Sequence, residues 1–89
     1  MSQLAVQQAA LNVSTATTEL ITKILAQFPQ ARIHSHLTPL ADEDINLEVV
    51  LPMSMEEVYQ ARDAIFDLII ELQERYGLLV MVSAVPEKI

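Results

Sequence analysis

The most regular pattern of apolar and polar positions lies between Ser54 and Gly77. Plotted at about 100° per residue, the side chains separate into three arcs. The first is a continuous apolar stripe of Val58, Ala61, Ile65, Leu68, Ile69, Leu72 and Tyr76. Opposite it lies a polar face, and beside it a second apolar strip of Tyr59, Phe66 and Ile70. The pattern predicts an amphipathic helix whose stripe covers a sheet and whose second strip needs another partner.

Both ends of this helix carry sequence signals. Ser54 followed by Glu57 is a capping box, in which the hydroxyl and the carboxylate each satisfy a backbone N–H of the first turn. Gly77, the only glycine of the chain, stands where a left-handed residue closes a helix. About 22 residues lie between these signals, which corresponds to about 33 Å of helix.

The residues before Pro29 allow two interpretations. In one, Ser14 caps a helix that runs to Phe28, and residues 1–13 are a separate segment, helical or flexible, outside a single α+β domain of residues 14–89. In the other, one helix covers residues 2–28, because apolar residues keep helical spacing throughout. Pro29 ends the helix in both cases, since proline cannot continue the hydrogen-bond ladder.

Three further segments predict strands. In residues 31–37 and 45–51 the odd-numbered positions are mainly apolar, which is typical of an antiparallel hairpin with one buried face. Asp42, Glu43 and Asp44 lie between these segments and predict a solvated turn. Residues 78–85 are almost continuously apolar, which is typical of a strand covered on both faces. We expect this last strand to pair beside the first one, in the centre of the sheet.

The resulting element order is α-β-β-α-β. It predicts the α+β class, with a ferredoxin-like three-stranded mixed sheet and the helices on one face.

Composition predicts self-association. Hydrophobic residues make up 52% of only 89 residues, and so small a domain has too much surface to hide all of them. We therefore expect a homodimer with Tyr59, Phe66 and Ile70 at its interface, unless the N-terminal helix covers that strip.

Charge and residue content exclude several function classes. The formal net charge is −7, and the five Lys and Arg residues are scattered, which argues against binding to nucleic acid or an anionic membrane. There is no cysteine for a disulfide or a thiolate site. The longest apolar run is too short to span a bilayer, and the first residues lack the basic region of a signal peptide. We expect a cytoplasmic protein.

Two histidines are the best candidates for chemistry. His34 and His36 are two residues apart on a predicted strand, so their side chains share one face. Imidazoles at this spacing can ligate a divalent metal such as zinc if another group, for example Glu48 or a second subunit, supplies a further ligand. The single glycine ends a helix, so no phosphate-binding glycine loop is available. We therefore expect no enzyme, unless a site assembles between subunits.

From about residue 20 onward the chain resembles the cytoplasmic C-terminal domain of cation diffusion facilitator transporters. The resemblance lies in the element order, in residues 47–57 (LEVVLPMSMEE), and in a long helix that ends in ERYG before a last strand. It implies a ferredoxin-like, metallochaperone-like fold, dimerisation and divalent metal binding, with His34 and His36 as the positions to suspect. The helix is longer than in that family and no transmembrane part accompanies it, which implies a stand-alone relative.

A second resemblance concerns residues 43–52. Glu43-Asp44-Ile45-Asn46-Leu47 looks like the Asp-x-Asp strand of the minimal nucleotidyltransferase fold. Asn46 replaces the second aspartate and the preceding Gly-Ser motif is absent, which implies an inactive or partner-completed domain. The sequence as a whole predicts a metal-responsive binding or regulatory module that self-associates. A nucleotidyltransferase-like domain is the alternative, and another protein is the alternative partner.

Overall fold

The computed structural model describes the backbone of residues 3–35 and 43–87, and the side chains of residues 12–35 and 43–87. Its elements are α1 (Gln3–Gln27), β1 (Arg32–Ser35), β2 (Ile45–Leu51), α2 (Met55–Tyr76) and β3 (Val80–Pro86). The predicted α-β-β-α-β order and the α+β class are confirmed. Helix α1 is continuous from Gln3, as in the longer of the two N-terminal interpretations.

Helix α2 begins and ends at the predicted residues. The Ser54 hydroxyl accepts the Glu57 N–H at 3.3 Å, and the Glu57 carboxylate accepts the Ser54 N–H at 3.4 Å. At the other end Gly77 has a φ of 67°, and its N–H donates to the Gln73 carbonyl at 2.9 Å. Because both ends are closed, the 22 residues between them form one uninterrupted helix that packs along the sheet.

The sheet has the strand order β1-β2-β3. Strands β1 and β2 are antiparallel, whereas β2 and β3 are parallel. The prediction that the last strand pairs beside the first, in the centre and covered on both faces, is wrong. Helix α2 is the crossover that a parallel pair requires, and it returns the chain to the side of β2 that β1 leaves open. Both helices lie on one face, so the other face of β3 is open and Met81 is 46% exposed.

The core lies between this covered face and the two helices. The odd-numbered residues of β2 pack against the predicted stripe of α2, while the second half of α1 closes the side. Burying one leucine or isoleucine side chain contributes about 1.5–3 kcal/mol, so this one-sided layer is the main source of stability. Its buried members are Ala16, Leu20, Ile24, Ile45, Leu47, Val49, Leu51, Val58, Ala61, Ile65, Ile69, Leu72, Val80 and Ala84.

Four charged side chains join α1 to α2. Glu19 pairs with Arg75, and Lys23 Nζ lies 3.1 Å from a Glu71 carboxylate oxygen. Residue 19 of α1 thus lies beside residue 75 of α2, and residue 23 lies beside residue 71. The numbers rise in one helix as they fall in the other, so the two helices are antiparallel. The Lys23 ammonium holds the pKa of the Glu71 carboxyl below its usual range, and the Glu19 carboxylate raises the pKa of Arg75. Exposed pairs of this kind add little stability, and their main effect here is to align the helices.

The acidic turn before β2 differs from its prediction. Asp42 lies outside the described residues. Glu43 is only 3% exposed, and its carboxylate accepts a hydrogen bond from Asn46 Nδ2 at 3.0 Å. Asp44 accepts the Leu79 N–H at 2.8 Å. The prediction of a solvated turn is therefore wrong at Glu43, because a nearby amide donor replaces water there.

Replacing Gly77 tests the left-handed helix end. A Cβ atom added at this position would meet no heavy atom within 4 Å, so the cost of Gly77→Ala comes from the backbone conformation alone. We expect Gly77→Ala to lower the free energy of unfolding by about 1–2 kcal/mol. Gly77→Asn is the matched control and should cost less, because asparagine tolerates this conformation. Urea unfolding measures both, and an alanine variant as stable as the parent contradicts the assignment.

Candidate functional site

A groove of about 440 Å³ runs between α2 and the outer edge of β3. It has mixed character, with apolar side chains in the middle and one cation and one carboxylate on the helix side. Its walls are formed by Arg62, Asp63, Ile65, Phe66, Ile69, Val82, Ser83 and Ala84. We call it the α2–β3 groove.

The second apolar strip of α2 lies beside this groove. Tyr59, Phe66 and Ile70 are 57%, 59% and 37% exposed, respectively. Helix α1 does not reach them, because its ion pairs with Glu71 and Arg75 hold it against the other flank of α2. The strip is thus left open by the described part of the chain, and the N-terminal helix, one of its two predicted partners, does not cover it.

Two side chains of α2 bind the backbone of β3. Arg62 donates from Nε and Nη2 to the Ala84 carbonyl, at 3.1 and 2.8 Å, and its guanidinium lies 5.1 Å from the centre of the Tyr59 ring. Gln73 Oε1 accepts the Val80 N–H at 3.0 Å. These bonds fix the helix along the strand, and they also occupy backbone groups that a neighbouring strand would otherwise use.

The direction of the remaining backbone groups follows from the pairing with β2. The Leu79 carbonyl accepts the Ile45 N–H at 3.2 Å, and the Glu87 N–H donates to the Leu51 carbonyl at 2.9 Å. In a parallel pair, alternate residues direct both backbone groups to the same neighbour. Odd-numbered residues of this strand therefore face β2, and residues 80, 82 and 84 face the outer edge.

Between Val80 and Ala84, four groups on that outer edge are available for pairing. The Val80 N–H is bonded to Gln73, and the Ala84 carbonyl is bonded to Arg62. The Val80 carbonyl, both backbone groups of Val82 and the Ala84 N–H have no partner among the described residues. Pro86, the last residue of the strand, has no N–H to donate, so it offers only its carbonyl to the outer edge. The open part of the edge is thus short and lies beside the α2–β3 groove.

Of the predicted metal ligands, His34 lies elsewhere, on the uncovered face of the sheet. His34 is exposed on β1 and stands directly opposite Glu48 of β2 in the strand register. His36 lies outside the described residues. Within the described ranges, no three His, Asp or Glu side chains come close enough together to hold a metal ion.

A second cavity, of about 570 Å³, lies on the same uncovered face. Glu48, Val50 and Val85 line it, together with Arg32, whose guanidinium pairs with the Glu87 carboxylate. The open sheet face thus offers an apolar floor with one acidic and one basic side chain at its margin.

Comparison with known proteins assigns no family. No family model matches the chain, and no curated protein and no solved structure matches it either. Across the described residues, every helix is too short or too polar to cross a membrane.

The features missed by sequence reasoning are the open edge of β3 and its contacts with Arg62 and Gln73. Pro86 at the end of the strand was the one available signal, because proline within sheets is confined to edges, strand starts and bulges. The partners of Arg62 and Gln73 carry no local signal, since they depend on how α2 lies against β3.

Proposed function

We propose that this protein is a non-enzymatic, cytoplasmic binding or regulatory module that acts as a homodimer. Tyr59, Phe66 and Ile70 form the centre of its interface. One observation carries the proposal: three large apolar side chains, two of them more than half exposed, form one strip next to an open strand edge.

The energetics favour covering this strip. Fully burying a phenylalanine side chain contributes about 1.5–3 kcal/mol, and Tyr59 adds a second aromatic of comparable size. A standard interface hides about 800 Å² on each partner, which requires the strip together with the adjacent groove. The net charge of −7 opposes association of two copies, so apolar burial must supply the driving force.

The charged residues of the described chain support a protein partner over nucleic acid. Lys23 and Arg75 are engaged in ion pairs between the helices, and Arg32 pairs with Glu87. Arg62 is bound to the backbone of β3. These cations are dispersed and already paired, so they form no basic surface that could follow a phosphate backbone.

We propose zinc responsiveness as a second candidate function, on one specific observation. His34 and Glu48 face each other across β1 and β2, and an imidazole and a carboxylate are both zinc ligands. In the sequence His36 follows two residues after His34, a spacing that makes it the candidate third ligand. The resemblance to the transporter domain points to the same two histidines.

Adding a charge to the strip tests the homodimer. Phe66→Glu should convert a dimer into a folded monomer at micromolar concentration, because a carboxylate cannot be buried there without a partner. Gln60→Glu is the matched control: it adds the same charge to the polar side of the same helix and should leave the dimer intact. Analytical ultracentrifugation of the three proteins decides the matter, and a monomeric parent chain rules out the homodimer.

Calorimetric titration of zinc into metal-free protein tests the second candidate. We expect binding that is lost in the His34→Ala, His36→Ala double variant and reduced in Glu48→Gln. Binding should weaken in acid, because a protonated imidazole cannot ligate a metal. Equal heats for the parent and the double variant would remove the histidines from any metal site.

A further inference from the structure

We propose that two copies of the chain pair edge to edge along β3, antiparallel, with the two-fold axis at Val82. The result is a continuous sheet made of both three-stranded sheets. This inference rests on the proposed homodimer and specifies its geometry.

The order of the open backbone groups carries the inference. Along the outer edge they read as an acceptor at Val80, a donor and an acceptor at Val82, and a donor at Ala84. Rotation about a two-fold axis at Val82 places the Val82 N–H opposite the partner's own Val82 carbonyl, and the Ala84 N–H opposite the partner's Val80 carbonyl. Each of these four groups then gains a hydrogen-bond partner, which gives four bonds across the axis.

The groups that this arrangement does not use are already occupied. The Val80 N–H and the Ala84 carbonyl would face each other across the axis, but Gln73 and Arg62 bind them within the subunit. Moving the axis by one residue, to Met81 or Ser83, would match only two open donors with open acceptors. Between Val80 and Ala84 the open groups are therefore fully self-complementary only about Val82, which favours a second copy of this chain as the occupant.

The apolar strip extends the same contact. Phe66 and Val82 line one groove, so an axis at Val82 brings the two Phe66 side chains of a dimer next to the shared edge. The hydrogen bonds of the edge define the register, while burial of Phe66 and Ile70 provides the apolar area. An unprotected strand edge beside exposed apolar side chains is otherwise a site of uncontrolled association, and a closed two-fold contact removes it.

Disulfide trapping tests the register, because the chain has no cysteine of its own. In the proposed pairing Met81 stands opposite Ser83 of the partner subunit in a pair without direct backbone bonds, where Cα atoms are about 4.5 Å apart. This distance suits a disulfide. Both residues are exposed on the uncovered face of the sheet, so their replacement should not disturb the core.

The Met81→Cys, Ser83→Cys double variant should form a covalent dimer on mild oxidation, seen by non-reducing electrophoresis. Each single variant places its cysteine diagonal to its copy, about 8 Å away, which is too far for a disulfide. A Met81→Cys, Val85→Cys variant is the matched control with two cysteines out of register, and it should stay unlinked.

The outcomes separate the two proposals. Strong cross-linking of the Met81 and Ser83 double variant, with little in the controls, supports pairing at Val82. A parent chain that is dimeric in ultracentrifugation but shows no excess cross-linking overturns the edge pairing while leaving the homodimer intact. Preferential cross-linking of the Met81 and Val85 variant overturns the register. A monomeric parent chain removes both proposals together.

Discussion

The packing of α2 across one face of the sheet is the interaction on which the rest of the structure depends. The helix is closed by Ser54 at one end and Gly77 at the other, so its whole length is available to cover β2 and β3. Its buried stripe completes a core to which residues 3–35 and 43–87 add no second layer on the other side of the sheet. A helix that began later or ended earlier would leave one end of β3 without cover.

The same packing determines which backbone groups and apolar side chains stay exposed. Because α2 connects β2 to β3, the last strand lies at an edge, and the helix can bind that edge only where its side chains reach. Arg62 and Gln73 do so at two points, and the backbone between them is left open. The flank of α2 that is farther from α1 carries Tyr59, Phe66 and Ile70, so the open backbone and the open apolar side chains fall side by side.

Local signals in the sequence were sufficient for individual elements and insufficient for their arrangement. The capping box, the glycine and the helical spacing define α2 almost to the residue, because they act within a few positions of one another. Alternation likewise predicts the buried apolar residues of β2, but it places Asn46 outward, whereas Asn46 is only 6% exposed. The position of β3 depends instead on whether it pairs with the free edge of β1 or with that of β2. The apolar sequence of β3 does not distinguish the two edges. The burial of Glu43 was missed for a related reason, since its hydrogen-bond partner, Asn46, looks like an outward-facing residue of the next strand.

Of the candidate sites, the exposed apolar strip of Tyr59, Phe66 and Ile70 could be named from the sequence, because a second apolar arc on a helix is visible in its periodicity. The contacts of Arg62 and Gln73 with the strand edge could not be named, because they are long-range and involve backbone groups. The two histidines were recognisable by spacing, and the structure adds that His34 stands opposite Glu48.

Hydrogen exchange at the amides of β3, followed by NMR at several protein concentrations, distinguishes edge-to-edge association from any other dimer. Edge-to-edge association protects the Val82 and Ala84 amides increasingly as the concentration rises. The Val80 amide is bonded to Gln73 within one subunit and should show the same protection throughout, which provides an internal control. Rapid exchange of the Val82 and Ala84 amides at every concentration, in a protein that is dimeric under the same conditions, would contradict edge-to-edge pairing.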